Sequence, residues 1–249
     1  MATAMDAAMA MVTDMVMAIE NMGTEEESVR MDMGKKNQNK MKKIGRKNMV
    51  HKTNYIKYKN IVDKIVSVAG LVILSPIFLG ITVAIKLEEG WHAPVFFKQK
   101  RIGIHKTHFM LYKFRSMKVN APKDVPTHLM KNPDEYLTKI GRWLRKTSLD
   151  ELPQLLNIIQ GDMAIIGPRP ALWNQFDLVE ERDKYGANDV RPGLTGWAQV
   201  NGRDEIGIEE KAALDGYYVR NMGVCLDARC LLKTVIVVLT HEGVAEGGK

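Results

Sequence analysis

The chain has 249 residues, of which 45% are hydrophobic and 26% are charged, and its formal net charge is +7. This length and balance fit one globular domain with or without a tail, and the positive charge indicates anionic partners: nucleic acid, acidic lipid headgroups or phosphorylated substrates. The two cysteines, Cys225 and Cys230, form no Cys-x-x-Cys pair, which excludes a cysteine-based metal site and fits reduced thiols in the cytosol.

The first 50 residues differ in composition from the rest of the chain. Eleven of the 16 methionines lie between Met1 and Met49, and the chain turns basic from Gly34 onward. The opening has neither a basic start nor a signal-peptide cleavage pattern. We therefore predict a disordered or non-native leader over residues 1–50, with Met41 or Met49 as an alternative start.

Residues 65–85 form a run of 21 residues without a charge. About 20 apolar residues suffice to cross a bilayer as a helix, and a buried core helix is the alternative. Ser75-Pro76 lies at the midpoint, where proline breaks a helical hydrogen bond and the serine hydroxyl can satisfy a freed carbonyl. Basic residues flank the run on both sides: Lys52, Lys57, Lys59 and Lys64 before it, and Lys86, Lys98, Lys100 and Arg101 after it. Because positive flanks stay in the cytosol, we predict a re-entrant membrane helix hairpin over residues 51–90.

The sequence after the apolar segment predicts a mainly α domain with a few short β-strands over residues 91–242, followed by a disordered tail at 243–249. Short apolar runs at 95–97 and 109–112 predict strands, and helical spacing predicts helices at 137–144, 148–159, 179–185, 209–219 and 231–239. Gly161 is a typical helix C-cap for the second of these helices.

The stretch from Thr147 to Gln154 supports two interpretations. Ser148 and Glu151 match a capping box, which is a common structural signature of a helix start. A helix N-terminus also lowers the pKa of a carboxyl group, so an ionised Asp150 beside Glu151 could bind a divalent metal ion or accept a phosphoryl group.

Cations, several of them in proline-bounded loops, surround this acidic pair in the sequence. They are Lys113, Arg115, Arg142, Arg145, Lys146, Arg169 and Arg191. Arginine presents a planar fork to phosphate oxygens, and proline fixes the backbone that carries it. Together with the adjoining apolar run, this pattern predicts a phosphate-binding site at a lipid surface.

Five ordered motifs resemble those of the monotopic phosphoglycosyl transferases, the bacterial sugar transferase family. They are KFRSM at 113–117, KTSLDELPQ at 146–154, GDM at 161–163, GPRP at 167–170 and RPGLTGW at 191–197. The resemblance runs from about Tyr55 to Leu239 and includes the Ser75-Pro76 break. It is similar to the short form of the family, without the additional N-terminal membrane helices of longer relatives.

The resemblance implies a catalytic pair at Asp150 and Glu151 that also binds Mg²⁺, with Asp150 as the nucleophile. Substrate-binding residues would be Lys113, Arg115, Arg145, Arg169, Arg191 and Asp215. The implied reaction transfers a sugar phosphate from a UDP-sugar to polyprenyl (undecaprenyl) phosphate and releases UMP, as the first membrane step of exopolysaccharide, capsule or glycoprotein glycan synthesis. The catalytic domain would face the cytosol at the inner membrane, in contact with membrane lipids and with downstream glycosyltransferases as further partners.

Two other classes of protein fit the sequence less well. A metal-dependent nucleotide-sugar glycosyltransferase would need an Asp-x-Asp triplet, which this chain does not contain. A basic membrane-surface adaptor or nucleic-acid binder would account for the charge but not for the acidic pair or the proline-framed arginines. We therefore expect an enzyme without a nucleic-acid partner.

Overall fold

A computed structural model describes residues 49–122, 133–202 and 206–240 of the protein. In chain order its elements are α1 (Met49–Ile73), α2 (Ser75–Glu89), β1 (Phe96–Ile102), β2 (His108–Phe114), α3 (Pro133–Tyr136), α4 (Lys139–Lys146), α5 (Gln154–Gln160), β3 (Ala164–Ile166), α6 (Phe176–Asp183), β4 (Gly193–Thr195), α7 (Trp197–Val200), α8 (Ile208–Asn221) and α9 (Val224–Thr240). The predicted mainly helical fold with few short strands is confirmed. The predicted leader up to residue 48 and the predicted tail lie outside the described residues.

The strands form two separate two-stranded sheets. β1 and β2 make an antiparallel hairpin in the register Phe96↔Phe114 to Ile102↔His108. β3 and β4 pair in parallel, with Ala164 opposite Gly193. Neither strand of this second sheet was predicted, because three residues are too few to show an alternating pattern.

The backbone at Gly193 approaches the loop after β3 so closely that only glycine fits there. A Cβ atom on Gly193 would lie 2.1 Å from the backbone nitrogen of Gly167. The Gly193 nitrogen also donates a hydrogen bond to the carbonyl of Pro168 at 2.9 Å. The short parallel sheet therefore brings the 167–170 loop and the 191–193 segment together.

A break at Ser75-Pro76 separates α1 from α2, as the sequence predicts. Asn54–Ile73 and Ser75–Glu89 are bent by 60° relative to each other. The Ser75 hydroxyl donates to the Val72 carbonyl at 2.7 Å, so it satisfies a group at the end of α1. Among the described helices, none alone is long and apolar enough to cross a bilayer. The two helices of this bent pair, taken together, are long and apolar enough by length and composition.

The far end of α2 is attached to the 91–240 region. Its Glu88 carboxylate accepts hydrogen bonds from the backbone nitrogens of Lys139 and Ile140, at 2.6 and 2.8 Å, and so caps the N-terminus of α4. Its apolar face joins one core cluster, whose buried members are Ile81, Ile85, Phe114 and Leu144.

The N-terminal half of α1 is attached to the same region by a buried network of charged and polar groups. Lys59 Nζ lies 3.2 Å from Asp63 Oδ2 and 2.8 Å from Asp227 Oδ2, which belongs to α9. The hydroxyls of Tyr55 and Tyr218 donate to the two oxygens of Asp227 at 2.7 and 2.9 Å. α1 is therefore bound to α9 through a nearly inaccessible cation that contacts two carboxylates, and Tyr218 links α8 to the same network.

We predict that Lys59→Met strongly destabilises the protein. The substitution leaves Asp63 and Asp227 buried without their shared cation, and breaking a buried pair in this way costs about 3–5 kcal/mol. The midpoint of thermal unfolding in detergent should fall by several degrees or more. Lys57→Met is the matched control, because Lys57 is an exposed lysine on the same helix. Equal midpoints for the two variants would contradict this account.

Candidate active site

The acidic pair lies in a short 3-10 turn, Leu149–Glu151, and not in the first turn of an α-helix. The predicted capping box is wrong: Ser148 adopts a left-handed conformation, with φ of 56°, and its side chain makes no capping hydrogen bond. The following helix, α5, begins at Gln154 instead of near Ser148, and it ends at Gly161 as predicted.

Four of the predicted site residues converge through direct contacts. Lys113 Nζ lies 2.7 Å from Glu151 Oε1 and 3.8 Å from Asp150 Oδ2. Arg169 Nη2 lies 3.2 Å from the same oxygen of Glu151. Glu151 is thus held between two cations, and Asp150 lies beside them with only 6% of its surface exposed.

The two carboxyl groups differ in acidity although they are neighbours in sequence. Burial raises the pKa of Asp150, and the charge of Glu151 raises it further, against the opposing charges of Lys113, Arg145 and Arg169. Burial is also the largest single effect on Glu151, but the charges of and hydrogen bonds from Lys113 and Arg169 outweigh it and hold the pKa of Glu151 well below its usual range. The predicted lowering of the Asp150 pKa is therefore wrong, because burial outweighs every favourable charge around it.

A buried asparagine on α5 fixes Lys113 relative to the acidic turn. The Asn157 side chain accepts a hydrogen bond from the backbone nitrogen of Tyr112 at 3.0 Å and donates to the carbonyl of Met110 at 2.8 Å. It is fully buried, so this attachment of β2 to α5 is shielded from water. Lys113 directly follows the attached residue on β2.

Two further predicted residues, Arg115 and Arg145, line one pocket. Arg145 donates from Nε to the Ser116 hydroxyl at 3.0 Å, and its charge acts on Asp150. Arg115 is 8% exposed and donates from Nε to the carbonyl of Pro94 at 2.8 Å. Apolar side chains, including that of Phe97, form other parts of the pocket lining.

The last two predicted residues contact groups elsewhere in the fold. Arg191 donates from Nε to the Gly161 carbonyl at 2.7 Å, at the C-terminus of α5. Asp215 on α8 is 1% exposed, and its Oδ2 accepts from Nε and Nη2 of Arg182 at 2.8 and 2.6 Å. The structure thus brings Lys113, Arg145, Asp150, Glu151 and Arg169 together, and places Arg191 and Asp215 in contacts of their own.

The donor set around Asp150 fits one kind of metal site. In the part of the chain that the structure describes, no group of three His, Cys, Asp or Glu side chains could hold an ion. Mg²⁺, however, is commonly bound by one or two carboxylates and completes its shell with water and substrate phosphates. Asp150 and Glu151 fit an ion of that type, and they do not fit a metal enclosed by protein ligands alone.

Comparison with known proteins decides the family. A model of the family described as "Bacterial sugar transferase" matches residues 54–241. This chain belongs to the bacterial sugar transferase family. It is therefore a transferase, and the predicted resemblance from about Tyr55 to Leu239 is confirmed.

Three relatives show how this sugar transferase compares with others. It is 43% identical over 189 residues to "Uncharacterized sugar transferase EpsL" of Bacillus subtilis, covering 76% of this chain and 90% of that protein. It is 34% identical over 195 residues to "Exopolysaccharide production protein ExoY" of Sinorhizobium fredii, covering 73% and 85%. It is 36% identical over 201 residues to "UDP-glucose:undecaprenyl-phosphate glucose-1-phosphate transferase" of Xanthomonas campestris, covering 78% of this chain but 41% of that longer protein.

Two residues near the sugar transferase site were not singled out as site residues from the sequence. Asn157 lies inside a helix, where nothing in the local sequence marks it as an attachment point for β2. Arg101 was counted only among the basic residues that flank the apolar run, although it interacts electrostatically with Glu151 and Arg169. Because side chains alternate along a strand, Arg101 shares a face with the buried Gln99, whereas Lys98 and Lys100 are exposed, and this difference is visible only in the structure.

Proposed function

We propose that this sugar transferase moves a sugar phosphate from a UDP-sugar to undecaprenyl phosphate through a covalent intermediate on Asp150. The observation that carries the proposal is the pairing of a buried Asp150 with a Glu151 that Lys113 and Arg169 hold. A buried carboxylate surrounded by cations can approach a diphosphate that it would otherwise repel. The names of the relatives from Xanthomonas campestris and Sinorhizobium fredii support the donor and acceptor classes and a role in exopolysaccharide production.

The proposed reaction has two displacements at one phosphorus atom. A carboxylate oxygen of Asp150 attacks the β-phosphorus of the UDP-sugar, and the bond from that phosphorus to the bridging oxygen breaks, so that UMP leaves with the electron pair. A phosphate oxygen of undecaprenyl phosphate then attacks the phosphorus of the aspartyl intermediate. The bond to Asp150 breaks, the free carboxylate returns, and the product is the undecaprenyl-diphospho-sugar.

Cations around the pair would neutralise charge in both displacements. Lys113 and Arg169 already contact Glu151, and both are close enough to Asp150 to influence its ionisation. Arg145, which lines the pocket, also acts on Asp150. Phosphoryl transfer depends mainly on positioning and electrostatic stabilisation, so a set of cations on fixed elements is the arrangement that it requires.

We also propose that Asp150 and Glu151 hold Mg²⁺ together with the substrate diphosphate. The ion would supply positive charge for phosphate oxygens and would stabilise the leaving UMP. In this proposal Glu151 would contribute a carboxylate oxygen to the ion while Lys113 and Arg169 contact its Oε1.

The protein is proposed to be monotopic in the inner membrane, with its catalytic domain on the cytosolic face. The exposed apolar side chains of the hairpin support this placement: Ile65, Val66, Val68, Val72, Ile73, Ile77, Leu79 and Val83. Both far ends of the hairpin contact the same domain, through Lys59 on α1 and Glu88 on α2. Because a single domain lies on one side of a bilayer, these two attachments favour a re-entrant path over a span.

Replacing Asp150 with asparagine should abolish turnover while leaving the protein folded. The substitution removes the proposed nucleophile. The rate of UMP release, measured with a panel of UDP-sugars, should therefore fall by roughly 10³-fold or more relative to wild type. Asp189→Asn is the control, because Asp189 is an exposed carboxylate in another 3-10 turn. Substantial activity in a homogeneous Asp150→Asn sample, free of deamidated protein, would remove Asp150 as the nucleophile.

Replacing Glu151 with glutamine should reduce turnover by about 10²-fold without the complete block of Asp150→Asn, because it weakens electrostatic support of the transition state. It should also raise the Mg²⁺ concentration that gives half-maximal UMP release, since a neutral amide is a poorer ligand. Mg²⁺ titrations of wild type, Glu151→Gln and the exposed control Glu180→Gln measure this shift. An unchanged Mg²⁺ requirement in Glu151→Gln would contradict its role as a metal ligand.

The re-entrant path predicts that both flanks of the hairpin are cytosolic. Asn60→Cys and His92→Cys, each made in a background lacking Cys225 and Cys230, should be protected from a membrane-impermeant thiol reagent in intact cells. Both should react once the membrane is permeabilised. Labelling of position 60 from outside, with position 92 protected, would mean that the segment spans the membrane. Pro76→Ala should shift some of the protein toward that spanning state, because it allows a continuous helix.

A further inference from the structure

A guanidinium on β1 lies directly behind the 167–170 loop. Arg101 donates from Nη1 to the Pro170 carbonyl at 3.0 Å and from Nη2 to the Gln99 side-chain oxygen at 2.6 Å. Gln99 is 8% exposed, so this pair of hydrogen bonds is largely shielded from water. The two terminal nitrogens of one planar guanidinium therefore bind both acceptors at the same time.

The backbone of the same strand also contacts the segment after Arg169. Ile102 donates from its backbone nitrogen to the carbonyl of Ala171 at 2.9 Å, and Arg101 forms an antiparallel bridge with Leu172. Three successive residues after Arg169 are therefore in contact with β1. The side chain of Arg101 provides the contact at Pro170, the one next to Arg169.

Arg101 also interacts electrostatically with one member of the acidic pair, Glu151. Burial is the main cause that lowers the pKa of Arg101, the nearby positive charge of Arg169 lowers it further, and the negative charge of Glu151 opposes both. Arginine nevertheless stays protonated in proteins, so Arg101 adds a permanent positive charge that acts on Glu151 and Arg169.

We propose that Arg101 is a positioning residue, which fixes the Pro170 carbonyl and thereby holds Arg169 in place to contact Glu151 and the substrate diphosphate. The inference rests on the proposed function, since it assigns to Arg101 a part in binding and transferring a phosphate. No contact between Arg101 and the substrate is required.

Two contributions of Arg101 can be separated. Its charge adds to the attraction of the site for an anion, and this contribution survives replacement by lysine. Its planar guanidinium binds two separated acceptors. The single ammonium group of a lysine cannot make both hydrogen bonds with the same geometry. Since a displacement of about 1 Å at a catalytic group can cost on the order of 10²-fold in rate, geometry should determine kcat and charge should determine affinity.

The test uses the full chain in detergent and compares Arg101→Lys with Arg101→Met. Binding of UDP, and kcat for UMP release from a UDP-sugar that the wild type accepts, are measured together with the thermal unfolding midpoint. Arg101→Lys should bind UDP nearly as tightly as wild type while kcat falls by about 10²-fold. Arg101→Met should lose kcat to a similar extent and also bind UDP roughly tenfold more weakly.

Lys98→Met is the matched control, because it removes one positive charge from the exposed face of the same strand, where Lys98 lies over the Tyr112 ring. It should retain wild-type kcat and UDP affinity. If Arg101→Met does not fold, the kcat and the UDP affinity of Arg101→Lys alone test the proposal.

Wild-type kcat in Arg101→Lys would overturn the inference, as would a parallel loss of kcat and UDP affinity that follows a fall in its unfolding midpoint. A wild-type chain that releases no UMP from any UDP-sugar would overturn the proposed function and this inference with it. An active wild type beside an unaffected Arg101→Lys would overturn the inference only.

Discussion

One carboxylate oxygen organises the site. Lys113 from β2 and Arg169 from the loop after β3 both contact Oε1 of Glu151, which lies 38 and 18 residues from them in sequence. A largely buried carboxylate is stable only if it is paired and hydrogen-bonded, so Glu151 determines where the strand and the loop must meet. Burial raises the pKa of Asp150, and the negative charge that this pairing fixes on the neighbouring Glu151 raises it further.

The attachment of the bent helix pair α1–α2 depends on the same principle at a different place. Lys59 can be buried in α1 only because Asp63 and Asp227 neutralise it. Tyr55 donates to the Asp227 oxygen that Lys59 contacts, and Tyr218 donates to the other one. This network fixes one end of an apolar segment whose middle has many exposed side chains. Glu88 fixes the other end at the start of α4. The break at Ser75-Pro76 makes it possible for the chain to reach both attachments.

Sequence reasoning succeeded where several independent residues had to agree and failed where a single pattern was read in isolation. Lys113, Asp150, Glu151 and Arg169 were predicted from ordered motifs, and the structure brings them together. The capping box at Ser148 and Glu151 was wrong, because Glu151 bonds to Lys113 and Arg169 and not back to the backbone. Asp215 is buried in an ion pair with Arg182, a long-range partner that local sequence does not reveal, and its part in binding substrate stays a prediction.

The sequence by itself determined the family, the mainly helical fold, the break in the apolar segment and the identity of the acidic pair. Each of these depends on residue type and local order: proline cannot continue a helix, glycine ends one, and the motifs occur in a set order. Only the tertiary structure decided which carboxyl group has the raised pKa, that β3 and β4 pair, and that Arg101 lies behind Arg169. These properties depend on burial and on contacts between residues distant in the chain, because desolvation and charge act through space and not along the sequence.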